Sequence, residues 1–379
     1  SRLRSLLRSR DCARYFVVEI AHAYYACKGI GINMCNSCYQ QNLHREKGTV
    51  LILVLLIITL LTVTVMESMH LMQVDSLSSR IFQSSFRSRS IAKSGAAVAK
   101  HILFQDAVED EEDEQASDHR GETWGKFPEK MDSTPLDSGS FNGTIIDEQS
   151  KFPVNYLVNE DGEYRKTYRK ILLRLLTRKP FSLEATQAEK IVQALKDWID
   201  EDNAPTGEFG AEKNYYLSRD KGYSCKNAPI TVLSELKLIK GIKEEIYNGE
   251  KEKPGLKDLL TVYSDGKINI NTAGESLLAA MVKSTVNKDT ANEFAQNMLD
   301  YRKDKTHYDF LSESDWYRNR MAGYNDIQLP GKIVSTKSNY FAVFINGIVG
   351  DYATSRYVVL KRDKKDGKIN LKTLFTQVR

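Results

Sequence analysis

The sequence lacks the signatures that most enzyme classes require. It contains neither a P-loop nor a glycine pattern for dinucleotide binding. His70, His101 and His307 stand far apart, with no Cys, Ser or Asp signature beside them. No residue pattern supplies a nucleophile together with its base, so we predict that the protein is not an enzyme.

Cysteine is scarce beyond the first part of the chain. Of five cysteines, only Cys225 follows residue 48. A lone cysteine cannot form an intramolecular disulfide, so the cysteines imply neither an oxidising nor a reducing compartment. Cys35-x-x-Cys38 has zinc or redox spacing, but no second Cys/His pair follows at the distance of a metal site. We interpret this pair as incidental.

The body of the chain also lacks a net charge. The formal charge of the whole sequence is +4, but residues 1–48 alone hold eight Lys or Arg and three Asp or Glu. The remaining residues hold 46 basic and 47 acidic side chains. This balance argues against a general nucleic-acid binder.

One long apolar run is present. Residues 49–66 (TVLILVLLIITLLTVTVM) contain no charge, proline or glycine. As a helix the run is about 27 Å long, close to the roughly 30 Å hydrocarbon core of a bilayer. Arg45 and Lys47 precede it, and Glu67 and Asp75 follow it. The run predicts a single membrane span with the N-terminus in the cytoplasm and the bulk of the chain on the other side. A buried core helix is the alternative.

The segment before this run is short, polar and basic, and it ends in Gly48. No small-x-small signal-peptidase pattern follows the run. We hypothesise that translation starts at Met34, that residues 1–33 are an upstream extension, and that residues 34–48 are a leader. This arrangement resembles the type IV prepilin and pseudopilin class, which implies cleavage by a prepilin peptidase between Gly48 and Thr49 and methylation of the new N-terminus. Most members carry Glu at mature position five, where this chain has Leu53. A plain uncleaved anchor is the alternative.

The rest of the chain alternates helical and extended patterns. Residues 67–107 carry apolar side chains at steps of three and four, which predicts a helix that leaves the membrane and packs on a sheet. The acidic run at 109–114 predicts a solvated loop, with a cation site as the lesser alternative. Two extended pieces flank a turn at 147–151, and amphipathic helices are predicted at 164–177 and 182–199. Strands are predicted within 331–347, 355–361 and 368–378, so the fold class is α+β.

Carboxylates concentrate in residues 197–218 (DWIDEDNAPTGEFGAEKNYYLS), a loop that contains Pro205 and two glycines. Calcium prefers several carboxylate and carbonyl oxygens from a flexible loop. The EF-hand spacing is absent, so a metal site and a solvated loop both remain open from the residues alone.

Residues 229–248 and 267–319 resemble helix-hairpin-helix units. Units that bind the DNA backbone do so through a glycine-rich hairpin whose N–H groups meet phosphate. The hairpin here, residues 283–289, contains no glycine. We therefore favour a packing role for these helices.

In their order along the chain, these features resemble the K-type minor pseudopilins of type II secretion systems. The resemblance covers most of residues 44–379 and rests on Gly48 without a Glu at Leu53, the D-W-I-D-x-D loop ending in Glu212, the I-N-I-N-T-A segment at 268–273, and S-x-Y-F at 338–341. The chain departs from the family pattern at 153–155, where Pro-Val-Asn replaces a common Asn-x-Asn element and predicts a different turn.

The resemblance implies a pseudopilin fold, in which a long N-terminal transmembrane helix packs on an antiparallel sheet. It places a large all-helical domain with helix-hairpin-helix-like (SAM-like) units at 160–330. Residues 67–159 then form the periplasmic helix and first strands, and residues 331–379 form the last strands. The family is reported to bind calcium in the helical domain, and we expect Asp200, Asp202 and Glu212 to supply the oxygen ligands.

The implied function is that of a minor pseudopilin at the tip of the pseudopilus, which helps to initiate filament assembly and protein export across the outer membrane. The implied location is the inner membrane, with the bulk of the chain in the periplasm. The implied partners are the I- and J-type minor pseudopilins, the prepilin peptidase, the inner-membrane assembly platform, and beyond them the secreted substrate and the secretin, with no nucleic acid. The alternative function is a membrane-anchored helix-hairpin-helix protein that binds DNA in a DNA-uptake system.

Overall fold

The computed structural model describes residues 39–113, 115–127, 139–251, 253–365 and 368–379. The predicted upstream extension, the Cys35-x-x-Cys38 pair and the first residues of the predicted leader lie outside these ranges. The chain divides into two compact units, Ser1–Ser79 and Arg80–Arg379. Each unit is described by itself.

The described part of the first unit is the beginning of a single long helix, α1, Tyr39–Glu112. This is the one helix in the described ranges that is long and apolar enough to cross a bilayer. Its side chains in the apolar run are exposed in the isolated chain. The hydroxyls of Thr59, Thr62 and Thr64 each donate to a backbone carbonyl one turn earlier. Those hydroxyls therefore need no partner from the lipid, where an unsatisfied polar group is costly.

The second unit is built on a four-stranded antiparallel sheet with the order β1-β8-β9-β10. Its strands are β1 (Ser140–Asp147), β8 (Tyr340–Val349), β9 (Tyr352–Lys365) and β10 (Lys368–Val378). β1 pairs with β8 so that Asp147 lies opposite Phe341. The chain therefore leaves the sheet after β1 and returns to it on the neighbouring strand, at the same end.

The segment between these two strands, residues 148–339, is the inserted domain. Its helices are α2 (Lys166–Thr177), α3 (Ala185–Ile199), α4 (Lys213–Leu217), α5 (Glu244–Asn248), α6 (Leu256–Leu259), α7 (Glu275–Met281), α8 (Lys288–Tyr301) and α9 (Trp316–Asn319). Its two-residue strands are β2 (Phe152–Pro153), β3 (Gly249–Glu250), β4 (Lys253–Pro254), β5 (Leu260–Thr261), β6 (Ile268–Asn269) and β7 (Val334–Ser335). The insert is thus mainly helical rather than all-helical, because β2–β5, β3–β4 and β6–β7 form short ladders.

The outer part of α1 packs on the sheet, as its three- and four-residue apolar spacing predicts. Ile91, Ala92 and Leu103 of α1 are buried in one cluster with Phe341 and Val343 of β8. The helix and the strand approach closely at Gly347, where a Cβ would lie 2.1 Å from the carbonyl oxygen of Ser88. A larger side chain at that position would push the two elements apart.

The insert has a separate and larger core. The apolar faces of α2 and α3 are fully buried, as their amphipathic patterns predict, and α7 and α8 pack against each other. The members that carry the predicted pattern are Ile171, Leu172, Leu175, Leu176, Ala188, Ile191, Val192, Leu195 and Trp198. The I-N-I-N-T-A segment and α7 belong to this same core. Helix packing therefore accounts for the helix-hairpin-helix-like pattern.

A buried polar network joins the insert to the sheet. The Oδ2 atom of Asp147, at the end of β1, accepts hydrogen bonds from Ser338 Oγ at 2.6 Å and Thr272 Oγ1 at 2.5 Å. Asn269 Nδ2 donates to the same oxygen at 3.2 Å and to the carbonyl oxygen of Asp118 at 3.0 Å. We call these five residues, Asp118, Asp147, Asn269, Thr272 and Ser338, the polar joint.

The prediction of a solvated acidic loop at 109–114 is wrong over the residues that the structure describes. Helix α1 continues to Glu112, and its carboxylates face the basic strand β9. Arg362 of β9 pairs with Asp106 and Asp110, and Lys364 Nζ lies 2.8 Å from Glu111 Oε1. The repulsion within the acidic run is offset by cations that are distant in sequence.

Candidate metal centre

Three buried carboxylates meet where the insert's carboxylate-rich loop begins and ends. Asp197 and Asp200 lie three residues apart at the end of α3, and Glu212 precedes the first turn of α4. Ligand oxygens of the three residues all lie within 4.8 Å of one another. We call Asp197, Asp200 and Glu212 the carboxylate cluster.

The loop that connects these residues is folded around Asp197. The backbone N–H groups of Thr206 and Ala211 donate to its carboxylate, at 3.0 Å to Oδ1 and 2.6 Å to Oδ2 respectively. Lys240 Nζ donates to the carbonyl oxygens of Phe209 and Gly210 in the loop. Pro205 and the glycines make a turn-rich path that returns Glu212 to the end of α3.

Three oxygens of the cluster have no hydrogen-bond partner although they are buried: Asp200 Oδ1 and both Oε atoms of Glu212. Asp200 is 3 % exposed and Glu212 is 4 % exposed. Burial of an unpaired carboxylate oxygen is costly, and buried polar groups are nearly always satisfied by protein, water or an ion. The cluster therefore has the donor set of a site for a positively charged ligand.

The electrostatics of the cluster agree with that interpretation. Burial first, and then repulsion by Asp197, Asp200 and Asp202, raise the pKa of Glu212 to about 7. Burial likewise raises the pKa of Asp200, against the opposing effect of Lys196. Lys196 Nζ lies 2.5 Å from Asp200 Oδ2 and is the cation that touches the cluster.

The structure brings together two of the three residues that the sequence proposed as ligands. Asp202 is exposed, and its Oδ1 accepts a hydrogen bond from the backbone N–H of Ala204. Asp202 is not a member of the cluster, whereas Asp197, which was not selected, is. The missed signal is the spacing in D-W-I-D, because residues three apart at a helix end lie on one side of it.

The donor set fits calcium. Calcium takes oxygen ligands at 2.3–2.6 Å in flexible geometry, so two oxygens bound to one ion lie up to roughly 5 Å apart. The cluster offers three carboxylates within that span, and its buried oxygens without hydrogen-bond partners are acceptors that a cation would satisfy. Asp200 and Glu212 would contribute those oxygens, while Asp197 both lines the site and organises the loop.

A second acidic group, Asp106, Asp110 and Asp118, also meets the distance criterion for a metal site. Its charge is already balanced in part by Arg362, whose Nη1 lies 2.6 Å from Asp118 Oδ1. Arg362 Nη2 donates to Asp106. The guanidinium occupies the position between the carboxylates, so we interpret this group as an ion-pair cluster that fastens α1 to β9.

Comparisons with known proteins agree with the observed fold and show which proteins the chain is similar to. A family model described as "Type II secretion system (T2SS), protein K" matches residues 150–251. Type II secretion system protein K of Pseudomonas aeruginosa is 28 % identical over 337 residues, which cover 86 % of this chain and 91 % of that protein. The protein K of Aeromonas hydrophila is 23 % identical over 87 % of this chain and 97 % of its own length.

A solved structure has the same fold. It is the GspK-GspI-GspJ complex from the type 2 secretion system of enterotoxigenic Escherichia coli, and it matches with a TM-score of 0.58. The match covers 80 % of this chain and 99 % of that chain, at 19 % sequence identity. At this identity the likeness shows a shared fold.

A long apolar N-terminal helix that packs on an antiparallel sheet defines a pseudopilin. The large insert distinguishes this chain from a pseudopilin without an insert. The chain is similar to type II secretion system protein K over most of its length, and the family model matches part of its insert. The chain is a minor pseudopilin, and it is a component of a protein-transport machine.

Proposed function

We propose that this minor pseudopilin occupies the tip of the pseudopilus and helps to start filament assembly. The observation that supports the proposal is the insert, residues 148–339. It lies in the chain between two strands that are neighbours in the sheet. A filament of packed helices has a limited cross-section, so a subunit with such an insert would obstruct any subunit stacked above it. Leu53 favours the same position, since it removes the carboxylate that would engage the amine of another subunit.

The proposal includes processing, location and partners. The prepilin peptidase cuts between Gly48 and Thr49, and the mature helix stays in the inner membrane with the bulk of the chain in the periplasm. The related structure contains GspI and GspJ together with GspK. By analogy, the I- and J-type minor pseudopilins join this chain in a tip complex, and the protein acts as a structural component rather than an enzyme.

Removal of the apolar segment is the direct test. Deletion of residues 49–66 should abolish secretion and the co-isolation of the I- and J-type partners, whereas Leu53→Glu should leave both near normal. N-terminal sequencing of the membrane-extracted protein should find a start at Thr49. Secretion that survives the deletion would rule the model out, and a start at Met34 would favour an uncleaved anchor.

We propose further that the carboxylate cluster binds calcium. The proposal is supported by three buried oxygens without partners on Asp200 and Glu212, and calcium would supply the charge that these oxygens lack. Bound calcium would hold the ends of the loop at 200–212 together and stabilise the insert. It would supply no chemistry beyond that charge.

The calcium proposal is tested with a matched pair of variants. Asp200→Asn should weaken calcium binding by about tenfold or more, because it removes a buried charged ligand. Asp202→Asn removes the same charge two residues away, at an exposed side chain, and should change the affinity by less than about threefold. Isothermal titration of chelator-treated protein measures both values. Equal effects of the two substitutions would contradict the assignment.

A further inference from the structure

A buried ammonium group lies against the carboxylate cluster. The side chain of Lys196 is 9 % exposed and that of Asp200 is 0 % exposed. Lys196 lies in the last turn of α3 and Asp200 is the C-cap residue that follows the helix, and Lys196 Nζ donates to Asp200 Oδ2. The same ammonium lies 5.8 Å from the centre of the Tyr164 ring, which closes one side of it. Lys196 is therefore held in place at the edge of the site.

The bond to Lys196 uses only one oxygen of Asp200. Oδ2 accepts from the ammonium, whereas Oδ1 is buried and has no partner. A carboxylate with its two oxygens divided in this way can bind a metal ion through one and an ammonium through the other. Lys196 and a cation can then be present together, with Asp200 between them.

The net charge of the site depends on Lys196. Three ionised carboxylates carry −3, and Lys196 brings the site to −2. Lys240, which reaches the loop from a later part of the insert, donates to the backbone carbonyls of Phe209 and Gly210. A divalent cation would leave the site neutral, a monovalent one would leave it at −1, and a trivalent one would leave it at +1.

We propose that Lys196 is a fixed counter-ion that sets the charge of the Asp197–Asp200–Glu212 site and thereby selects a divalent cation. Lys196 lowers the affinity for every cation, and it lowers the affinity for a trivalent ion most. Lys196 is thus a specificity-determining residue, and it is not itself a ligand. The inference rests on the calcium site proposed above.

The test measures binding of calcium and terbium by the full-length protein in detergent at pH 8. Trp198 and Tyr216 stack edge to face at 5.2 Å between ring centroids, and Trp198 follows Asp197 directly, so terbium luminescence can be sensitised at this site. Lys196→Met should raise calcium affinity by at least about tenfold, which is the size expected when a unit charge about 5 Å from a divalent ion is removed even at the dielectric constant of bulk water, near 80. Terbium affinity should rise by a larger factor.

Lys196→Gln removes the charge but keeps a hydrogen-bond donor for Asp200. It is the variant to measure if Lys196→Met unfolds. Lys226→Met is the matched control, because Lys226 pairs with Glu235 at 2.8 Å in the same insert but contacts no member of the cluster. Circular dichroism melts establish that each variant is folded. Calcium affinity that stays unchanged or falls in both Lys196 variants would overturn the inference, as would an equal gain in Lys226→Met. Absence of calcium binding in the wild type would instead overturn the calcium site.

Discussion

Replacement of Arg362 by Met would test how far the attachment of α1 to the sheet depends on one cation. Arg362 Nη1 lies 2.6 Å from Asp118 Oδ1 and 3.5 Å from Asp110 Oδ2, and Nη2 donates to Asp106. The side chain of Arg362 is 8 % exposed and that of Asp118 is 1 % exposed. Removal of one partner from a buried ion pair costs about 3–5 kcal/mol, because it leaves the other charge buried and unpaired. We expect Arg362→Met to lower the free energy of unfolding by that amount at pH 7.5.

Lys364→Met provides the control on the same strand. Lys364 pairs with Glu111 of the same helix at 2.8 Å, but the two side chains are 61 % and 41 % exposed. Exposed ion pairs contribute about 0–1 kcal/mol, since water and salt screen them. Both substitutions remove a basic side chain from β9, so the difference between them reports the effect of burial together with the larger number of carboxylates around Arg362.

Denaturant unfolding of the detergent-extracted chain measures both variants. Trp124 packs edge to face on Phe341 in this core, at 5.1 Å between ring centroids, and it reports locally once Trp198 and Trp316 of the insert are replaced by Phe. Burial raises the pKa of Asp106 to about 7 and that of Asp110 to about 6. Loss of Arg362 would raise both pKa values further, so protons would replace its charge at pH 5 and the cost would shrink. The reasoning is refuted if Arg362→Met costs no more than Lys364→Met, or if its cost grows toward pH 5.

Two further substitutions, one of them with a matched control, test the same unit. Burial, reinforced by Asp106 and Asp118, raises the pKa of Glu122 to about 9, so the folded state retains a proton that the unfolded state loses above pH 4.5. The free energy of unfolding therefore falls between pH 5 and 9 because of this group, by at most about 1.4 kcal/mol per pH unit. Glu122→Gln should make thermal stability depend less on pH over this range. An unchanged dependence of the melting temperature on pH would contradict the assignment. Gly347→Ala should cost about 1–3 kcal/mol by overpacking, since its Cβ would lie 2.6 Å from the backbone nitrogen of Ala92. Gly331→Ala, with nothing within 4 Å of the added Cβ, should be close to neutral in the same unfolding assay.

Local periodicity was sufficient for the helices and strands that bury one face. In α3, the apolar positions Ala188, Ile191, Val192, Leu195 and Trp198 recur at helical steps, and all of them are buried. In β8, Phe341, Val343 and Ile345 alternate and face the helix core. In such elements the burial of a face determines both the pattern and the structure, so one can be read from the other.

Prediction from the sequence failed where the environment of a charged residue depends on a partner that is distant along the chain. The acidic run after Asp106 looked like a helix breaker because its nearest neighbours in sequence repel one another. Arg362 and Lys364, which neutralise it, lie some 250 residues further along the chain. For the same reason composition identified the carboxylate-rich loop but could not separate Asp197 from Asp202. Only the fold decides which carboxylate is buried.

The polar joint explains why an apparent nucleic-acid motif occurs in a secretion component. Asn269, Asn271 and Thr272 of the I-N-I-N-T-A segment are each at most 2 % exposed. Asn269 and Thr272 donate to the carboxylate of Asp147, while Asn271 Nδ2 donates to the carbonyl oxygen of Leu311 and its Oδ1 accepts from Trp316 Nε1.

These side chains are occupied inside the protein and cannot also face a phosphate. The insert is therefore held at two neighbouring strand ends and by a buried hydrogen-bond network between them. Breaking such a network would leave several buried donors unpaired at about 1–3 kcal/mol each. An insert held in this way cannot turn freely about its connections to the sheet, which is the property that a subunit needs if its bulk is to block further stacking.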